Sequence, residues 1–84
     1  MNTKQHKTRQ ALFALPINTT IKWADIESLF RALGAEIHAR EGSRVVVKLH
    51  HEKQIYHRPH PRPETDKGAV NAIRNWLISL GITP

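Results

Sequence analysis

The chain has no cysteine, which removes both a disulfide framework and any thiolate metal site, so packing alone must hold the fold. It also lacks a long apolar run. Nothing approaches the roughly 20 residues that cross a bilayer as a helix, and the polar residues 1–10 have no secretory apolar segment behind them. A soluble cytoplasmic protein, with no membrane attachment, is the expectation. Internal repeats and low-complexity tracts are absent. Acidic residues are scarce: seven Asp+Glu stand against thirteen Lys+Arg, a formal net charge of +6 before any of the six histidines is protonated. Such a surplus favours nucleic acid over an anionic membrane or an acidic protein partner, and 84 residues allow one small domain to present it.

Residues 1–22 read as a basic lead carrying Lys4, Lys7 and Arg9, frayed over residues 1–10, with a short helix or turn around Ala11, Leu12, Phe13 and Leu15 that Pro16 ends. Residues 23–84 read as the domain proper. Trp23, Ile26, Leu29, Phe30 and Leu33 recur at spacings of three and four, as one stripe of a helix requires, and Gly34 supplies its stop. From Ala35 the period becomes two. Ala35, Ile37 and Ala39 alternate with Glu36, His38 and Arg40; after a turn at Glu41-Gly42-Ser43, Val45, Val47 and Leu49 alternate with Arg44, Lys48 and His50. A third strand over residues 54–57 is stopped by Pro59 and Pro61, and the alternate prolines of residues 58–63 make a stiff, extended connector. Thr65 or Asp66 then caps a last helix with a stripe of Ala69, Ile73, Trp76, Leu77 and Leu80.

Each helix has one apolar stripe and the sheet one apolar face, so the prediction is an α+β fold of order α-β-β-β-α. It places both helices on one face of a three-stranded antiparallel meander and leaves room for an extra N-terminal helix. The uncovered face is expected to carry His38, Arg40, Arg44, Lys48, His50, Tyr56 and Arg58. Strand three is ambiguous in parity, because turning Ile55 inward carries His57 inward with it.

On that face Arg44, Lys48 and Arg58 could neutralise phosphates, and Tyr56 could stack on a base, although cations on a solvated sheet face are also ordinary. Lys67 and Gly68 open the last helix, where backbone N–H groups can hold an anion, or where Glu64 and Asp66 serve simply as caps. Among the histidines, His50, His57 and His60 are candidates to move protons. An imidazole near neutrality can deprotonate a ribose 2′-OH while Arg and Lys stabilise the phosphorane-like charge, a route that needs no metal. A zinc set from His57 and His60 with His50 or His51 is disfavoured by its spacing and by rigid Pro59, so neither metal nor cofactor is expected.

The order helix, Gly42-Ser43, two strands, His60, Glu64, Gly68, helix resembles the HicA family of bacterial toxins over about residues 23–82. Members of that family are small basic proteins with a double-stranded-RNA-binding-domain-like fold that cleave messenger RNA and are neutralised by a HicB antitoxin. The resemblance therefore implies a toxin of a toxin-antitoxin system, an mRNA endoribonuclease with RNA and a HicB-like protein as partners. The family pattern opens with Gly-Ser-His at the second strand and continues through Pro-x-His, an acidic residue and a Gly that opens the last helix. Here Arg44 stands directly after Gly42-Ser43, where the family has its catalytic histidine, and arginine stays protonated and cannot act as a base. Either His50, His57 or His60 takes the role, or the protein is a non-catalytic module that grips RNA, or less favourably DNA, by charge and shape. An adaptor for an acidic protein has no motif behind it.

Overall fold

The computed structural model describes all 84 residues, in the order α1 (Thr3–Phe13), α2 (Trp23–Ala32), β1 (Glu36–Ala39), β2 (Arg44–Leu49), β3 (Glu52–His57) and α3 (Lys67–Ser79). The strands form an antiparallel meander, with Ile37 opposite Val47 and Val45 opposite Tyr56. This register gathers Val45, Val47, Leu49 and Tyr56 on the face beneath the helices. There they meet Trp23, Ile26, Leu29 and Phe30 of α2 and Val70, Ile73, Trp76 and Leu77 of α3 in one core. Burying each large apolar side chain contributes about 1.5–3 kcal/mol, and that packing replaces the bracing a disulfide would give. The α+β, double-stranded-RNA-binding-domain-like arrangement is thus present, with α1 ahead of it.

Three local expectations need correction. Residues 1–10 are not a frayed lead. The Asn2 side chain accepts from the Gln5 N–H at 2.8 Å while the Gln5 side chain accepts from the Asn2 N–H at 2.9 Å, a reciprocal cap that starts α1 at once. α1 then packs across α2 and α3, with Leu12 1 % exposed, the Gln5 amide donating to Ser28 Oγ at 3.0 Å and Arg9 Nε donating to the Thr83 carbonyl at 2.6 Å. The parity of β3 resolves with Tyr56 inward, 7 % exposed, which turns Ile55 and His57 outward together. Tyr56 is drawn in because its ring lies nearly parallel to Phe30, at 15° and 6.2 Å between centroids, and tilts against both Trp23 and Trp76. Finally, Arg58 follows the parity of Tyr56 and reaches towards α2, away from the open face.

The connector of residues 58–65 is clamped along the entry to α2. Trp23 N–H donates to the Pro63 carbonyl at 2.9 Å and Thr65 N–H to the Ile21 carbonyl at 2.7 Å, with a backbone bridge between Lys22 and Glu64. Thr65 is buried rather than capping; Asp66 caps α3 by accepting from Ala69 N–H at 2.8 Å.

Candidate nucleic-acid interface

The uncovered sheet face follows from the register. Arg44 pairs with His57, Val46 with His38 and Ile55, and Lys48 with Glu36 and Lys53. Its middle is apolar, with Val46 nearly covered and Ile55 57 % exposed, and its two ends are polar. At one end Gly42, at φ +67, turns the chain into Ser43 and Arg44. His57 stands directly across the ladder from Arg44, and its Nδ1 lies 3.4 Å from Ser43 Oγ. The neighbouring Arg58 N–H donates to the Ser43 carbonyl at 2.8 Å and fixes the corner. At the other end the β2–β3 turn carries His50, at φ +52, and His51, which with Glu36, Lys48, Glu52 and Lys53 border a shallow depression of about 370 Å³.

The length of β2 separates these ends. At about 3.3 Å per residue His50 lies roughly 20 Å from His57. The three candidate histidines are therefore not one group: His57 is at the Gly42-Ser43-Arg44 corner, His60 is exposed three residues further along the connector, and His50 is at the far end. No three His, Asp or Glu side chains converge as a set that could hold a metal, and the zinc grouping of His57 and His60 with His50 or His51 is split by the sheet.

Tyr56 cannot stack on a base from inside the core. Burial raises its phenol above the ordinary range, and its hydroxyl finds no partner. Arg58 is likewise off the open face. Its Nε donates to Glu27 Oε2 at 2.8 Å and its Nη2 to Oε1 at 3.2 Å, a two-pronged grip on α2. Lys67 and Gly68 are exposed at the start of α3, but the chain's own Asp66 carboxylate already sits there, 3.5 Å from where a Cβ on Gly68 would be.

Sequence reasoning missed the group that anchors the corner. Glu27 is buried on α2 and accepts from the Trp23 indole N–H as well as from Arg58, with Arg31 Nη2 3.5 Å away. Burial by itself would raise the Glu27 carboxyl. The Arg58 and Trp23 hydrogen bonds and the charges of Arg58 and Arg31 outweigh it and hold the group below the usual carboxylate range. The available signal was Glu27 four residues after Trp23, on the edge of the apolar stripe. Lys53 was missed because β3 begins at Glu52, two residues before the expected start of the strand, and Ile55 because of the parity of β3.

This architecture can be set beside known proteins. Residues 23–82, from the start of α2 to just past α3, match the family model described as the HicA toxin of bacterial toxin-antitoxin. The chain belongs to the HicA toxin family. No curated protein and no solved structure matches it. In this HicA member α1 lies outside the matched segment, and Arg44 holds the position after Gly42-Ser43. No helix is long and apolar enough to cross a membrane.

Proposed function

We propose that this HicA member is a messenger-RNA endonuclease acting in the cytoplasm, with residues 23–84 as its RNA-binding and cleaving domain and a HicB-type antitoxin neutralising it by covering the basic face. The observation that carries the reading is the cross-strand pair of Arg44 and His57, with Ser43 beside it. An imidazole stands at the Gly-Ser corner, supplied by the partner strand. In the tautomer that carries its proton on Nδ1, facing Ser43 Oγ, Nε2 of exposed His57 is the nitrogen free to act as base. It takes the proton of a ribose 2′-OH as the O2′–P bond forms. Arg44 stabilises the charge that grows on the phosphoryl oxygens. The P–O5′ bond then breaks, and O5′ receives a proton from His60 or from water, leaving a 2′,3′-cyclic phosphate and a 5′-OH. Lys48 and Lys53, further along the face, hold flanking phosphates.

The test is degradation of a mixed RNA in chelator, with the products examined for cyclic phosphate. His57→Ala should slow cleavage by about 100-fold or more, the usual contribution of one proton-transferring side chain. Equal rates would remove His57 from the chemistry. Arg44 in the histidine position favours one other reading, an RNA-binding domain without cleavage. Under it RNA stays full length while binding weakens steeply with salt.

A further inference from the structure

The greatest charge asymmetry of the molecule lies off the sheet. Residues 1–22 contain Lys4, Lys7, Arg9 and Lys22 and no carboxylate, whereas residues 23–84 carry nine Lys+Arg against seven Asp+Glu. The segment outside the family match thus supplies four of the six net positive charges. All three of its lysines, Lys4, Lys7 and Lys22, border one cleft of about 280 Å³ between α1 and the start of α2, together with Asn18 and Thr20. The cleft's single carboxylate, Asp25, is 3.4 Å from Lys4, and neither Lys7 nor Lys22 has an ion-pair partner. Asn18 Oδ1 accepts from both the N–H and the hydroxyl of Thr20, at 2.7 and 2.6 Å, so its amide NH₂ is left to donate. Lys4 and Lys7 sit on a helix fixed to the core through Leu12, Gln5 and Arg9, and the backbone of Lys22 is held by its bridge to Glu64, so little further ordering is needed to use these cations.

The connector links the cleft to the corner. Lys22 is bridged through its backbone to Glu64 of the connector, which runs back through exposed Arg62 and His60 to His57. The molecule measures 31 × 30 × 22 Å, so a strand passing around this edge can touch both regions. We propose that the α1–α2 cleft is a second phosphate-binding site, and that an RNA chain engaged at Arg44 and His57 continues along the connector into it. The inference takes RNA as ligand from the reading above and does not depend on cleavage.

The probe is a single-stranded 2′-O-methyl RNA, which lacks the free 2′-OH and cannot be cut by the proposed route. Its affinity is measured against salt for the full chain and for the Lys7→Gln, Lys22→Gln double variant, with helix content checked by circular dichroism. Each single-strand phosphate contact contributes about 0.7 to the slope of log affinity against log salt, so the double variant should lose about 1.4 of slope and on the order of tenfold in affinity. In the unaltered protein, bound RNA should protect the Lys7 and Lys22 amines from acylation, a readout that needs no variant. If the chain never cleaves RNA yet the lysine variant shows the loss, this site stands and the catalytic reading falls. An unchanged slope with unprotected lysines overturns the proposal, as does failure to bind the probe. Lysine-dependent binding of poly-glutamate without any of the RNA would assign the cleft to an acidic protein and equally overturn it.

Discussion

Each of the two tryptophans gives its indole N–H to a glutamate, and the two pairs hold opposite ends of the sheet in different ways. Trp23 and Glu27 lie on one helix, and the buried carboxylate also receives Arg58 and faces Arg31. Trp76 reaches from α3 to Glu52 at 3.1 Å, and Glu52 is exposed and has no cation partner. The first pair is expensive in desolvation and is kept where Arg58 directly follows His57; the second tacks down a hairpin end at little cost. The end bearing Gly42-Ser43-Arg44 is therefore the one held rigidly to the helix layer, and the turn of His50 and His51 is the freer.

The contrast should be sharpest in the proposed RNA cleavage. Against the about 100-fold loss for His57→Ala, His50→Ala should stay within about twofold of the unaltered rate, because its ring is far from the Ser43 corner. Matching losses at both positions would erase the distinction between the ends.

Stability should show the next largest difference. Glu27→Ala strips Arg58 and the Trp23 indole of their acceptor and should lower the unfolding free energy by about 2–3 kcal/mol, discounted from the ~3–5 of a fully buried pair because the Arg58 side chain is 42 % exposed. Glu52→Ala should cost less than about 1 kcal/mol. Denaturant titrations with equal m-values compare the two directly. The Glu27 contribution also has a pH signature. Its folded carboxyl titrates below its unfolded one, so the stabilisation is complete above the ordinary carboxylate value of about 4.3 and is lost as pH falls through the lowered folded value. The unaltered chain and Glu27→Gln should therefore differ near neutrality and converge in acid; a gap independent of pH would show that the charge of Glu27 is not what matters.

The smallest effect is expected between the tryptophans, at Tyr56, whose ring lies 5.9 Å from Trp23 and 6.3 Å from Trp76. Its hydroxyl is buried without a partner, so Tyr56→Phe should leave stability unchanged or raise it by up to about 1 kcal/mol, and RNA affinity should not move. A fall in affinity would return the ring to the interface.

Much of the fold is legible because α2 and α3 keep a clean three-four spacing and β1 and β2 a clean period of two. In β3, Ile55 and Tyr56 are adjacent and either suits a core, so only the tertiary partner, Phe30 under Tyr56, breaks the tie. α1 is hard to read for another reason. Thr8 and Leu12 are its only buried residues, too thin a stripe to signal a helix among Lys4, Gln5, His6, Lys7 and Arg9. The candidate groups Arg44, Lys48 and His57 can be read as a chemistry, but not their division between two ends of a strand, which depends on register. Nor can the grip of Arg58 on Glu27, 31 residues away, be inferred from either neighbourhood alone.

The Ile21 carbonyl that accepts Thr65 N–H gives the added N-terminal segment a part in the rest of the molecule. Trimming the chain to its family-matched residues would empty the Leu12 and Ile21 positions of the core and leave the strap that bears His60 with the Trp23 bond to Pro63 but without its bond to Ile21, so the segment should act as a keystone and not as a detachable tag.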